Sequence, residues 1–235
     1  MTRGVVLTAA AVATTAAWLA LAGASWALPH HHAEAPDLAA FVLAVAMWQA
    51  MIVAMMTPTV LPWITAYGSL VASAPGAPPV RHASGAFAAG YFLVWLGYGA
   101  AAGALQLGLA SLGLFAEDRV GEVAGGLILV AAGAYQFAPV KAACLTHCRS
   151  PLSYFLAHWQ DGPVGGLRMG LAHGAYCLGC CWLVMLTALA MGVMNLAWMA
   201  VLTVIVVLEQ TAAAGPWMSR LAGGALTAWG LWLLG

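Results

Sequence analysis

Apolar runs long enough to cross a lipid bilayer recur along almost the whole of this sequence, and they narrow its folds more than any other feature. A span needs about 20 apolar residues. Such runs cover residues 5–28, 38–57, 86–114, 120–140, 165–193, 196–208 and 217–234. The sixth is short before Glu209 and reaches residue 214 if that acid is tolerated, while Gly223 and Gly224 weaken the seventh. Charge points the same way, with 6% of the 235 residues charged and 64% hydrophobic. A soluble domain carries about a quarter charged residues. Seven basic and seven acidic side chains cannot cover a water-exposed surface of this size. In hydrocarbon every backbone polar group must be paired within the chain, which leaves helices or closed barrels. A barrel would alternate apolar and polar residues in strands of roughly ten. These runs are instead unbroken and rich in Ala, Leu, Gly and Val. The expected fold is therefore all-α, a polytopic transmembrane helix bundle of six to seven spans. It forms a single transmembrane domain over residues 1–235, with residues 1–28 as first helix or signal anchor, 38–214 as the core and 215–235 as a last helix.

The first run follows Met1-Thr2-Arg3 and ends near Ser25-Trp26-Ala27, so a cleaved signal peptide competes with an uncleaved helix. Its apolar stretch is long for a signal core, which favours the helix. The second run meets Pro58 and Pro62, and a break or kink is expected at Thr57-Pro58. Orientation follows from basic residues, which collect in cytoplasmic loops. Arg3, Arg81, Lys141, Arg149, Arg168 and Arg220 fall at the amino terminus or in even-numbered loops, and only Arg119 falls in an odd one. This predicts a multi-pass protein of the bacterial inner membrane with its amino terminus in the cytosol. The bilayer is then its first partner, and His30-His31-His32 lie outside. Formal net charge is zero, there is no basic patch, and no phosphate-binding loop is present, so nucleic acid is not an expected partner.

The strongest chemical signal is His173-Gly-Ala-Tyr-Cys177-Leu-Gly-Cys180-Cys181-Trp182. Positions 173, 177 and 180 share one helix face, with Cys181 and Met185 flanking it. Counting from Gly165 at about 1.5 Å per residue, Cys177 lies on the order of 18 Å into the bilayer. Gly170, Gly174 and Gly179 would admit another helix at close range. A second group, Cys144-Leu-Thr-His147-Cys148, is expected at the cytosolic end of the fourth span. Met47, Met51 and Met55 repeat every fourth residue along the second span. Thiolates and thioethers are soft ligands that select Cu(I), and thiolates with imidazole also suit zinc. Each feature also has an ordinary reading. Methionine at helical spacing is usually packing, and a free cysteine is a common small buried hydrophobe. Three thiols within residues 177–181 beside His173 are harder to explain that way. Glu209 reads as an interfacial acid, and Trp18, Trp63, Trp95, Trp217 and Trp232 as interface anchors.

At these motifs the chain resembles the bacterial integral membrane proteins of domain of unknown function 2182, described as predicted metal-binding. The matching segments are Ala54-Met-Met-Thr-Pro58 with Pro62 and Tyr67, Gly90-Tyr91 with Trp95, and Ala132-Gly-Ala-Tyr135-Gln136 with Lys141, Cys144, Cys148, Arg149 and Pro151. They continue through His173-Gly174, Tyr176-Cys-Leu-Gly-Cys-Cys-Trp182, Met185, Gly192-Val-Met-Asn195 and Trp198-Met199, so the resemblance covers about residues 40–212. One position departs from the pattern: Gln210 follows Glu209 where the family has Lys. The resemblance implies a multi-span membrane protein with a copper connection.

Copper transport or delivery is accordingly the leading expectation. Cys177, Cys180 and Cys181 would be main ligands, with His173 and Met185 secondary. Cys144, His147 and Cys148 would mark cytosolic uptake or release, and Met51 and Met55 would relay the ion. Cu(I) is the expected metal and zinc the second candidate. The expected partner is a periplasmic or membrane cuproprotein or a copper chaperone. The alternative is thiol–disulfide exchange at the Cys177–Cys180 pair, although no thioredoxin-like context surrounds it. No catalytic residue stands out, which favours binding over enzymatic chemistry.

Overall fold

A computed structural model describes residues 3–27, 37–73, 79–116 and 119–235. The His30–His32 run and the acids Glu34, Glu117 and Asp118 lie outside the described residues. The helices are α1 (Arg3–Ala27), α2 (Leu38–Ser73), α3 (Val80–Ser111), α4 (Glu122–Tyr135), α5 (Pro139–Cys148), α6 (Pro151–His158), α7 (Gly162–Leu186), α8 (Ala188–Met191), α9 (Leu196–Thr211) and α10 (Gly215–Leu234). A two-residue antiparallel ladder, β1 (Phe115–Ala116) with β2 (Arg119–Val120), turns the chain between α3 and α4.

The expectation of an all-α protein holds, and four or five of the six to seven expected spans meet the length and apolarity a crossing needs. Among the described residues, four helical segments are long and apolar enough to cross a membrane: α1, α2, α3 and the stretch from Gly162 to Met191. A fifth is counted if α4 and α5 form one broken span. The expected run over residues 120–140 is not one straight helix. It bends by 66° between α4 and α5, where Pro139 cannot supply a backbone donor to continue the ladder. The expected sixth span is the shorter apolar helix α9.

Of the break or kink expected at Thr57-Pro58, the break does not occur. α2 runs for 36 residues through both Pro58 and Pro62. Beside the prolines, Thr57 Oγ1 donates to Val53 O at 2.6 Å and Thr59 Oγ1 to Met56 O at 2.9 Å. At about 1.5 Å per residue α2 is roughly 54 Å long, well beyond a hydrocarbon core of about 30 Å.

Packing centres on α7, which lies against α3 over most of its length and also meets α5, α4 and α9. Glycine sets the closeness of the α3–α7 crossing. A side chain at Gly170 would collide with the Phe87 carbonyl, and one at Gly174 would meet Tyr91 O at 3.0 Å. Gly223, which weakens the last run in the sequence, instead lies against Gly133 and Gln136 where α10 packs on α4. Two expected interface anchors are core residues: Trp63 and Trp95 are buried, whereas Trp217 and Trp232 are exposed as expected.

Candidate metal centre

The bend before α5 brings two sequence motifs together. It turns α5 back onto α7, and the sulfurs of Cys148, Cys177 and Cys180 lie within 4.8 Å of one another. All three are buried, at 3%, 0% and 1% exposure. Cys148 was expected at a cytosolic helix end as part of a separate thiol group. The structure places it inside the cluster, because α5 is not the end of a straight span.

The geometry follows from helical spacing on one side and a close approach on the other. Cys177 and Cys180 are three apart on α7 and share a face. Cys148 comes from the end of α5, where Arg149 caps the helix. The Cys180 and Cys181 thiols each bond to the Cys177 carbonyl at 3.0 Å. Cys181 is thus beside the cluster but outside the mutually close set. Cys144 sits one turn before Cys148 on the same face and is half-buried. Gly179 makes room for it, since a Cβ there would stand 2.8 Å from Cys144 Sγ.

Polar groups frame the sulfurs. The Tyr91 hydroxyl lies 3.2 Å from Cys177 Sγ and 3.5 Å from the Thr59 hydroxyl. Gln210 Nε2 stands 3.5 Å from Cys177 Sγ and 3.6 Å from Cys180 Sγ. The Trp63 indole N–H donates to the Cys148 carbonyl at 3.2 Å. The same indole stacks on the His173 ring at 3.7 Å between centroids. His173 is buried between Trp63, Phe87 and Tyr91, and its Nδ1 has no hydrogen-bond partner. His147 lies apart from the triad, stacked on Tyr176 at 4.1 Å with its Nδ1 at the Ala143 carbonyl. Met51, Met55 and Met185 are buried in the core that also contains the three cysteines.

The immediate support of the site includes a buried ion pair that contradicts two sequence expectations. Lys141 was read as a cytosolic loop residue and Glu209 as an interfacial acid. They form a 2.7 Å salt bridge with both side chains 1% exposed. Arg149 Nη1 donates to the Glu209 carbonyl at 2.8 Å, and Arg149 Nη2 to Ala213 O at 3.3 Å. Sequence reasoning missed this support, together with Gln210 and Tyr91 as neighbours of sulfur. The hints were that Glu209 and Gln210 interrupt a largely apolar helix and that Tyr91, Lys141 and Arg149 stand in the motifs that carry the resemblance.

Chemically, a trigonal thiolate site with metal–sulfur distances of about 2.3 Å places its sulfurs about 4 Å apart. The present spacing needs little movement to reach that. The donor set is soft and suits Cu(I). No curated protein and no solved structure matches this chain. The sequence model of the PpoB2 family, described as copper chaperone, matches residues 45–233, a stretch that contains all the cysteines and all the helices described except α1, the start of α2 and the last residue of α10. With a match of that extent, the chain belongs to the PpoB2 family of copper chaperones.

Proposed function

We propose that this protein is a membrane-embedded copper chaperone that carries Cu(I) on Cys148, Cys177 and Cys180 and delivers it to a cuproprotein. The observation that carries the reading is the convergence of three buried sulfurs from two separate helices. A structural zinc site wants four tetrahedral ligands, whereas Cu(I) is content with a few soft ones. The neighbouring Cys181, His173 and Met185 are secondary candidates for the same ion, and Met51 and Met55 are candidates for its path along α2. Cys144, half-buried and one turn from Cys148, is the thiol through which the ion exchanges with a partner. His147, three residues on from it and stacked on Tyr176, is a candidate to assist that exchange. Four apolar helices support a bilayer location, and the distribution of basic residues favours a cytosolic amino terminus.

The test is metal content of the purified full-length protein after anaerobic Cu(I) loading. The wild type is expected to hold about one copper per chain, as a single soft-ligand site should. Cys148→Ser is expected to lose it as completely as Cys177→Ser, whereas Cys181→Ser keeps it. Copper retained in a Cys148→Ser/Cys177→Ser double variant would overturn the assignment. A metal-free protein with a Cys177–Cys180 disulfide in peptide maps would overturn it in favour of thiol exchange.

A further inference from the structure

The thiol triad has a second layer whose chemistry is electrostatic. Three thiolates around one Cu(I) carry a net charge of −2, and such a charge in an apolar core is costly without donors aimed at it. Among the described residues, two side chains outside the cysteines are hydrogen-bonded to the triad sulfurs. Tyr91 meets Cys177, and Gln210 meets both Cys177 and Cys180. Gln210 is 5% exposed, and its Nε2 is closer to the Cys177 sulfur than its Oε1, which stands at 4.0 Å. A carboxamide can offer two N–H donors at once.

The backbone beside Gln210 is held from several directions. Glu209, its neighbour on α9, is fixed through its carboxylate by Lys141 of α5. The Glu209 carbonyl receives Arg149, the residue directly after Cys148. Gly215 leaves the space through which the Arg149 guanidinium reaches that carbonyl. Gln210 is therefore anchored to the element that carries one ligand, while its side chain reaches the helix that carries the other two.

We infer that Gln210 is the positioning residue that sets copper affinity, its amide N–H groups donating to the Cys177 and Cys180 sulfurs and stabilising the anionic copper–thiolate complex. This rests on the copper reading of the triad. Its role is charge compensation, so the effect of a substitution follows the sign of what replaces the amide. Hydrogen bonds to charged groups are stronger than neutral ones, and Gln210→Leu is expected to weaken Cu(I) binding about tenfold. Gln210→Glu sets a carboxylate against two thiolates and is expected to weaken it by roughly a hundredfold or more. Gln210→Lys restores a donor and a positive charge, and is expected to bind within about threefold of the wild type or more tightly.

The experiment is a competition titration of the full-length protein in detergent, using Cu(I) and a colorimetric Cu(I) chelator. Thermal midpoints of the metal-free variants are measured alongside. The order Lys, then Leu, then Glu from tightest to weakest is the expected result. Three variants that weaken binding equally, or that leave it unchanged, overturn the inference. If Gln210→Lys does not fold, Gln210→Leu against Gln210→Glu decides, because a purely space-filling role would not separate them in that order. A wild type that takes up no Cu(I) brings down the copper reading itself. A wild type that binds, with variants that do not differ, brings down only the role of Gln210.

Discussion

Replacing Glu209 by Leu would strand the Lys141 ammonium in the protein core. The pair is 2.7 Å apart and each side chain is 1% exposed, so water cannot take over when the carboxylate is lost. Removing one partner of a buried ion pair costs about 3–5 kcal/mol, because the remaining charge is left uncompensated. For a chain of this size each kcal/mol shifts the thermal midpoint by about 2–4 °C, which gives a fall of roughly 6–20 °C. The Arg149 bond to the Glu209 carbonyl is a main-chain contact and survives the substitution. The loss therefore isolates the side-chain pair. The double variant Lys141→Met/Glu209→Leu removes both charges and is expected to recover most of the stability, since an apolar replacement of similar volume is often neutral. The two residues touch, so their effects should be strongly non-additive. Thermal unfolding in detergent, followed by tryptophan fluorescence, reads both. A double variant as unstable as the single one, or a single variant within about 2 °C of the wild type, would refute the uncompensated-charge reasoning.

Two further outcomes are expected. Gly170→Ala drives a methyl into the Phe87 carbonyl at the α3–α7 crossing, where backbone rather than a flexible side chain must yield. A loss of about 2–3 kcal/mol is expected, and an unchanged unfolding midpoint would show that the two helices are not so tightly apposed. Tyr91→Phe removes the hydroxyl beside Cys177 and Thr59, and should weaken Cu(I) binding by a few-fold, from a net hydrogen-bond worth of about 1 kcal/mol. Equal affinity in a chelator competition would show that this hydroxyl does not stabilise the metal-bearing thiolate.

The α7 half of the site was legible in the sequence because its information is local. Three cysteines on one helical stretch are recognisable from spacing alone, as is the need for small residues at a close helix crossing. The contribution of Cys148 depends on a 66° bend, and the apolar run over residues 120–140 disguises it by continuing unbroken across the turn. The Pro58–Pro62 segment misleads in the opposite sense. Two prolines look like a helix end, but α2 continues through both. Lys141 reads as a loop residue because a basic group after an apolar run normally marks the cytosolic surface. Its partner lies 68 residues away, beyond the reach of any local pattern. Trp63 likewise reads as an anchor, but its stacking on His173 and its bond to the Cys148 carbonyl place it in the core.

The ten-residue helix α5 has a break at each end, at Gln136–Ala138 and at Arg149–Ser150. It contributes one sulfur, while the 25-residue helix α7 contributes the other two. The coordination number of a metal held there would therefore be tied to the position of a short segment jointed on both sides. Swinging α5 away would convert a three-sulfur cage into an open two-sulfur cradle, and would have to break the buried Lys141–Glu209 pair to do so.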